Sequence, residues 1–166
     1  MTAPDPFRRP TGWEQAEMTW EPPHDGPLPQ HHRNCLGCGD SNPHGHHLEV
    51  RLEGGALHAR HIFDERHAGA PGITHGGAIA TVLDDVFGFT GYLIGQPAVT
   101  RSLTVDYDRP VPVGAICEIT ARLDRREDRK LFLTAEGVDS SGGRLFTARA
   151  LFLVVDLQHF HGPRGL

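Results

Sequence analysis

The chain has 166 residues, a formal net charge of −5, and 38% apolar and 22% charged residues. This length and composition predict one soluble, globular domain whose hydrophobic core needs neither a disulfide nor a metal for its stability. The acidic balance argues against nucleic-acid binding, and we expect no membrane-spanning helix because no run of about 18 apolar residues occurs.

The two ends of the chain differ from its middle. Residues 1–30 are rich in proline and lack periodicity, so we interpret them as an arm that packs on the domain or a partner subunit, or as a mobile tail. Residues 31–156 form the predicted domain, and residues 157–166 a flexible tail. The absence of an apolar leader and the odd cysteine count predict a cytoplasmic protein with reduced thiols.

Hydrophobic periodicity predicts the elements in chain order. Alternation indicates a strand over 47–53, a Gly54-Gly55 turn, a second strand over 56–63 and a loop over 64–74. A helix then runs from about His75 to Ile94, with Thr74 as its N-cap. Four strands with short connections follow, which predicts antiparallel pairing; we place them at 98–107, 115–124, 131–139 and 144–155.

The helix carries two contrasting faces. Its wide apolar face must be buried against the sheet, which predicts an α+β domain; it consists of Ile79, Val82, Leu83, Val86, Phe87, Phe89 and Leu93. The opposite stripe, Ala80, Asp84, Gly88 and Gly91, has small side chains and one acid. Such a stripe lets a strand, a helix or a slender ligand approach the helix backbone closely.

The start of the helix is a candidate oxyanion site. A first helical turn presents unpaired N–H groups, and Gly76-Gly77 leaves them accessible to a developing negative charge. The alternative is a tight loop-to-helix junction that requires glycine. Asp84 strengthens the chemical interpretation, since an acid on a buried apolar helix is costly unless it is paired or used. We expect the adjacent Asp85 to be structural, capping a loop or pairing with an arginine.

Helix geometry separates the two candidate features. Gly76 and Asp84 are eight residues apart, or about 12 Å at about 1.5 Å per residue. An oxyanion donor and a base must both lie near one reacting carbonyl, so one helix cannot supply both. The two features either serve different purposes or come from different subunits of an obligate dimer with two shared sites.

Residues 69–85, GAPGITHGGAIATVLDD, resemble the acyl-CoA thioesterases of the phenylacetate-pathway (PaaI-like) type, which have the hotdog fold. The resemblance covers about residues 35–156, including CLGCG at 35–39 with Asn42-Pro43, and RPVPVG at 109–114. It implies an antiparallel sheet wrapped around one long central helix, acyl-CoA as substrate without a separate cofactor, and a homodimer that assembles to a tetramer.

The resemblance also implies roles for individual residues. Gly76 would donate its N–H to the thioester carbonyl, and His75 would orient that region. Asp84 would act as general base on water or as nucleophile, and Thr100 would position the water or the carboxylate. Several family members carry an asparagine or glutamine six residues before the histidine, where this chain has Gly69.

Coenzyme A carries phosphates, which favour basic partners. The densest basic cluster lies at residues 125–130, and the resemblance makes Arg129 and Lys130, with Gly77 at the helix start, candidates for binding CoA. The alternative for this segment is a solvated hairpin turn.

Cysteines and histidines concentrate in residues 31–47. A C-x-x-C with nearby histidines can bind zinc, but the spacing fits no standard finger and no second C-x-x-C follows. We therefore expect a tight turn without a metal, with zinc as the alternative.

Three alternative functions stay open at this stage. One is a non-catalytic acyl-CoA-binding module, which would keep the slot without the carboxylate chemistry. The others are a hotdog hydratase and a thioesterase acting on acyl-carrier protein.

Overall fold

A computed structural model describes residues 24–156. Most of the predicted arm and the whole of the predicted tail lie outside the described residues. The strands are β1 (Gly26–Pro27), β2 (Val50–Glu53), β3 (Ala56–Ile62), β4 (Ala68–Ala70), β5 (Ile73–Thr74), β6 (Ala98–Tyr107), β7 (Ile116–Glu127), β8 (Lys130–Val138) and β9 (Arg144–Val154). The helices are α1 (Gly76–Gly88), α2 (Thr90–Ile94) and a 3-10 turn at Glu65–His67.

Seven strands form one antiparallel sheet in the order β1-β2-β3-β7-β8-β9-β6. The last residues of the predicted arm contribute β1, which pairs with β2 at one edge. β6 follows the helices in sequence but crosses over to pair with β9 at the other edge. Two short strands, β4 and β5, form a separate hairpin just before α1.

The central helix is buried on its predicted apolar side. Ile79, Val82, Leu83, Val86 and Phe87 of α1 are almost fully buried. They belong to the same core as the inward-facing residues of β7, β8 and β9, such as Ile119, Leu131, Leu133, Phe146 and Phe152. The alternating burial along these strands places one face of the sheet on the helix. The predicted α+β arrangement of a sheet wrapped around a central helix is confirmed.

The helix boundaries differ from the prediction in two respects. The N-cap is His75 and not Thr74, because the imidazole accepts the Gly77 N–H while Thr74 is a residue of β5. The single predicted helix is also two helices, which meet at Phe89. The Phe89 N–H bonds to the Val86 carbonyl, three residues back, and this tighter turn ends α1.

β6 has the predicted bounds, and the boundaries of the other predicted strands differ by no more than three residues. The first predicted strand begins at Val50 rather than at residue 47, because His47 has a left-handed backbone (φ 52°) that a strand cannot contain. The predicted loop over 64–74 contains the 3-10 turn and the β4–β5 hairpin. β7 and β8 extend further into their connection than predicted, as far as Glu127 and Lys130.

Residues 76–94 are long and apolar enough to cross a membrane by length and composition, with a mean hydropathy of 1.3. This corrects the expectation that no segment meets that criterion. In the structure the apolar side of α1 packs in the core of the domain, which accounts for its composition.

Candidate functional site

Asp84 and Thr100 meet across the boundary between the helix and the sheet. Asp84 lies on α1 and Thr100 near the start of β6, and the Thr100 hydroxyl donates a hydrogen bond of 2.7 Å to Asp84 Oδ1. The register of β6 against β9 shifts directly after Thr100, which leaves Arg101 unpaired as a β-bulge. Asp84 and Thr100, which the family resemblance put forward together, are thus in direct contact, and Asp84 is half-buried.

Among the described residues, the first turn of α1 presents one N–H group without an acceptor. His75 Nδ1 accepts the Gly77 N–H at 2.8 Å, so the neutral imidazole carries its proton on Nε2. The Gly76 N–H, by contrast, has no acceptor among residues 24–156. Gly77 therefore cannot serve as a ligand donor while this cap is in place, and the available donors are Gly76 N–H and His75 Nε2–H.

Tyr107 holds the helix start from the sheet. Its hydroxyl donates a 2.7 Å hydrogen bond to the Gly76 carbonyl, and its ring lies next to the Gly76 backbone. Tyr107 is the last residue of β6, so the two ends of this strand contact the two candidate features of α1. The sequence analysis did not identify Tyr107, because a half-exposed residue at the end of an edge strand has no distinguishing pattern.

Gly76 and Asp84 lie on the same unbroken helix, eight residues apart. At about 1.5 Å per residue the backbone separation is about 12 Å. The structure therefore does not bring the helix-start donors and the carboxylate of one chain to one carbonyl group.

A cleft of about 430 Å³ opens beside Asp84, between α1 and the loop over residues 35–37. Its helix wall is Ala80, Thr81, Asp84 and Asp85. The volume lies at the small end of the range for ligand pockets, about 300–1,000 Å³. Only the first half of the predicted small-residue stripe lines it, since His31 lies over Gly88 and the Gln96 carbonyl over Gly91.

Among the described residues, Asp85 pairs with a histidine and with no arginine. Its Oδ1 contacts His31 Nδ1 at 3.1 Å and accepts the Cys35 thiol at 3.2 Å, both from the loop that precedes β2. Burial acts to raise the pKa of Asp85, but the His31 and Cys35 contacts outweigh it and hold the pKa below its usual range. Of the two expectations for Asp85, contact with a loop describes this arrangement, and pairing with an arginine does not.

His75 leaves no room for a side chain at position 69. A Cβ on Gly69 would lie 2.9 Å from the Cα of His75 and 3.1 Å from its Cβ. The position at which related proteins carry an amide is thus filled here by the cap residue of α1.

The predicted CoA-binding residues Arg129 and Lys130 lie in the β7–β8 hairpin, and both are exposed. Lys130 precedes the buried Leu131, so its side chain lies on the outer face of the sheet, away from α1. The neighbouring Arg125 and Arg126 are engaged with Glu127 and Gln96. The structure therefore does not bring Lys130 to the helix face that carries Asp84.

The aromatic residues considered for an acyl pocket divide in two. Phe87 and Phe89 are fully buried in the core and do not line the cleft beside Asp84. Tyr92 stacks on His31 at the end of the 31–38 loop.

Comparisons with known proteins agree with this fold. The sequence profile of the thioesterase superfamily matches residues 71–146, which include α1, Thr100 and Tyr107. An acyl-coenzyme A thioesterase, THEM4 of Xenopus laevis, is 37% identical over 86 residues, or 51% of this chain and 39% of that protein. The chain thus spans about two fifths of the length of that relative.

Two solved structures share the architecture. The PaaI protein of the E. coli phenylacetic acid degradation operon aligns with a TM-score of 0.62 and 17% identity, covering 67% of this chain and 81% of that one. The smu.793 protein of Streptococcus mutans, bound to acetyl CoA, aligns with a TM-score of 0.59 and 19% identity, covering 63% and 84%. At these identities the likeness concerns the fold.

Proposed function

We propose that this chain, whose residues 71–146 match the sequence profile of the thioesterase superfamily and which has the hotdog fold, hydrolyses acyl-CoA thioesters to the free acid and CoA. The observation that carries the proposal is the 2.7 Å hydrogen bond from Thr100 to Asp84, which orients a half-buried carboxylate at the edge of a cleft. The acetyl CoA bound to the S. mutans neighbour supports the same substrate class.

In the proposed reaction the Asp84 carboxylate takes a proton from water, and the water oxygen attacks the thioester carbonyl carbon. The charge that develops on the carbonyl oxygen is stabilised by Gly76 N–H and His75 Nε2–H at the positive end of α1. The C–S bond then breaks, and the proton passes to the leaving thiolate. In the covalent variant Asp84 attacks the carbonyl carbon directly, the C–S bond breaks and CoA leaves as the thiolate, which takes up a proton; water then hydrolyses the resulting anhydride, which releases the acid and regenerates the Asp84 carboxylate.

The donors and the carboxylate of each site would come from two subunits. β6 is an edge strand of ten residues, and such an edge is a template for pairing with another chain. Antiparallel pairing of β6 with the β6 of a second copy would place the two α1 helices side by side in opposite directions. Gly76 of each chain would then lie towards Asp84 of the other, which removes the 12 Å obstacle.

The first prediction concerns Asp84→Asn, which keeps the size of the side chain and removes the base. We expect kcat for acyl-CoA hydrolysis to fall at least 100-fold, because general-base or nucleophilic catalysis is lost. The measurement is thiol release from a panel of aryl-, short- and long-chain acyl-CoA thioesters.

The matched control is Asp124→Asn. Asp124 also accepts a threonine hydroxyl, that of Thr134 at 2.9 Å, but on the exposed side of the β7–β8 pair. The Asp124→Asn variant should retain the wild-type kcat. Equal activity in the Asp84 variant and wild type would refute the role of Asp84, and CoA binding without any hydrolysis would favour a binding module.

The second prediction tests the shared site with mixed dimers. Gly76→Pro removes the N–H at the first helical position, where proline fits the helix and His75 already has an extended backbone. Gly76→Pro and Asp84→Asn chains should each be nearly inactive. In an equal mixture after subunit exchange, half of the dimers carry one intact site, so about a quarter of wild-type activity should return. If the mixture stays inactive although mixed dimers form, the two groups do not share a site across the interface.

A further inference from the structure

Four side chains with metal-binding atoms converge where the 31–38 loop meets α1. His31, Cys35 and Cys38 come from the loop and Asp85 from the helix, and their ligand atoms all lie within 4.8 Å of one another. His31 Nδ1 and Cys35 Sγ lie 3.1 and 3.2 Å from Asp85 Oδ1, and Cys38 Sγ lies 3.4 Å from His31 Nδ1. We call these four residues the Cys-His-Asp cluster.

The spacing of the cluster is close to that of four ligands around a tetrahedral zinc ion. Zinc bonds to sulfur at about 2.3 Å and to nitrogen or oxygen at about 2.0 Å, which separates its ligands by about 3.3–3.8 Å. Two sulfurs, an imidazole nitrogen and a carboxylate are a donor set that favours zinc over calcium or magnesium. Three of the six distances between the ligand atoms are 3.1–3.4 Å and all six are within 4.8 Å, so shifts of up to about 1 Å would place the four atoms around one ion.

Hydrogen bonds within the protein leave the carboxylate incompletely satisfied. Two contacts crowd Asp85 Oδ1, whereas Asp85 Oδ2 is buried without a hydrogen-bond partner among the described residues. Within residues 24–156 the only basic side chain at ion-pair distance from this buried carboxylate is His31. A cation between the ligands would compensate the negative charge of the buried carboxylate.

The surroundings are built to hold the ligands in place. The His31 backbone N–H donates to Cys38 Sγ at 3.2 Å, as outer groups do to metal-bound sulfur. The His31 ring packs on Phe89 with a centroid distance of 4.1 Å and stacks on Tyr92. Gly37 permits the close approach, since a Cβ at this position would overlap the Asp85 carboxyl group.

We propose that His31, Cys35, Cys38 and Asp85 bind one zinc ion, which fastens the 31–38 loop to α1 next to Asp84. The sequence expectation was a turn without a metal, because only two ligands stand in a recognisable C-x-x-C. The third ligand lies four residues upstream and the fourth 47 residues downstream on a helix. All four protein ligands are present, so the ion is structural and leaves no open position for substrate.

The ion also borders the proposed active site. Cys35 and Gly37 line the cleft beside Asp84, and Asp85 adjoins Asp84 on the helix. This consequence rests on the proposed function, whereas the metal site does not.

The test uses the full chain purified without a histidine tag from zinc-supplemented medium. Elemental analysis should find about one zinc per chain, in accord with a closed four-ligand site. Replacement by cobalt should produce near-ultraviolet thiolate-to-cobalt bands together with the visible bands of a tetrahedral ion. Wild-type protein without zinc and without thiolate-to-cobalt bands overturns the proposal, including the case in which Cys35 and Cys38 form a disulfide.

Variants distinguish zinc bound at the Cys-His-Asp cluster from zinc bound by other histidines of the chain. Cys38→Ser and Asp85→Asn should each lose most of the bound metal, and Cys38→Ser should weaken the thiolate-to-cobalt bands. The control Cys117→Ala removes a buried thiol outside the cluster and should keep about one zinc. A Cys35→Ser/Cys38→Ser double variant that is folded by circular dichroism and still binds one zinc would place the ion elsewhere and refute the proposal.

Asp84→Asn distinguishes the two proposals. It should keep its zinc while losing hydrolysis. Zinc bound by a chain that hydrolyses no thioester would leave the metal site standing and the proposed function refuted. Hydrolysis by a chain that binds no zinc would support the proposed function and refute the metal site.

Discussion

At the scale of single residues, the start of α1 depends on three side-chain facts. His75 caps the helix with its own imidazole, Gly69 leaves the space that this imidazole fills, and Tyr107 holds the Gly76 carbonyl. Together they fix the direction of the Gly76 N–H, the only first-turn donor besides the His75 ring that is available to a ligand among the described residues. Tyr107 is thus a positioning residue, since it touches the carbonyl of Gly76 and not the N–H.

We expect Tyr107→Phe to lower the free energy of unfolding by about 0.5–1.5 kcal/mol, the usual net contribution of one hydrogen bond. A less firmly held helix start should reduce kcat more than it changes KM. The measurements are denaturant unfolding and steady-state hydrolysis. Tyr92→Phe, at the other end of the helical segment, should have the smaller effect on kcat; equal effects would show that Tyr107 has no special role.

At the scale of elements, the register of the sheet fixes which small and large residues meet. Gly137 of β8 is paired with Phe146 of β9, and the ring of Phe146 lies over it. A Cβ on Gly137 would come within 2.2 Å of the ring, which is itself fully buried. The glycine is therefore required by a neighbouring strand and not by its own backbone.

We expect Gly137→Ala to cost about 1–3 kcal/mol of stability, as overpacking in a full core does. The check is thermal or urea unfolding. In a Phe146→Leu background the same substitution should cost less, because the overlapping ring atoms are gone. An equal cost in both backgrounds would mean that the ring is not the obstacle.

At the scale of the whole molecule, three buried histidines link the loop before β2 to the β3–α1 connection. His46 stacks on His67 at 4.1 Å and lies edge-on to His61 at 5.4 Å. Burial lowers the pKa of His46 and of His61 to about 4, with further lowering from the neighbouring histidines and a smaller opposing effect of Asp64. Burial also lowers the pKa of His67, while Asp64 acts to raise it and Arg66 to lower it.

The folded chain therefore disfavours protonation of this group. In the unfolded chain a histidine titrates near 6.5, so between about pH 6.5 and 4 the unfolded state binds more protons than the folded one. Stability should thus be greatest above about pH 6.5 and fall as the pH is lowered towards 4. Thermal unfolding at a series of pH values measures this.

His61→Gln should reduce the slope of the melting temperature against pH in this range, because one histidine that resists protonation is removed. The exposed His44 provides the control, and His44→Gln should leave the slope unchanged. A melting temperature that is flat between pH 7 and 4.5 would contradict the assignment.

The sequence by itself determined the features that depend on local order along the chain. Alternation and helical periodicity predicted the sheet, the central helix and its buried face, because burial on one side imposes the period of the element. The unusual acid on the opposite stripe and the glycines before it drew attention to Asp84 and Gly76, and the family resemblance added Thr100, whose contact with Asp84 the structure contains. The 12 Å separation along one helix likewise followed from residue counting alone.

Only the tertiary structure decided which distant groups meet. Nothing in the local sequence places Tyr107 on the Gly76 carbonyl, His31 beside Asp85 or the three histidines against one another. These contacts depend on the crossing of β6 to the sheet edge and on the path of the 31–47 loop over α1, which set distances between residues far apart in sequence. Metal ligands that come from a loop and from a distant helix have no fixed spacing along the sequence. The cluster could therefore be recognised only from the tertiary structure.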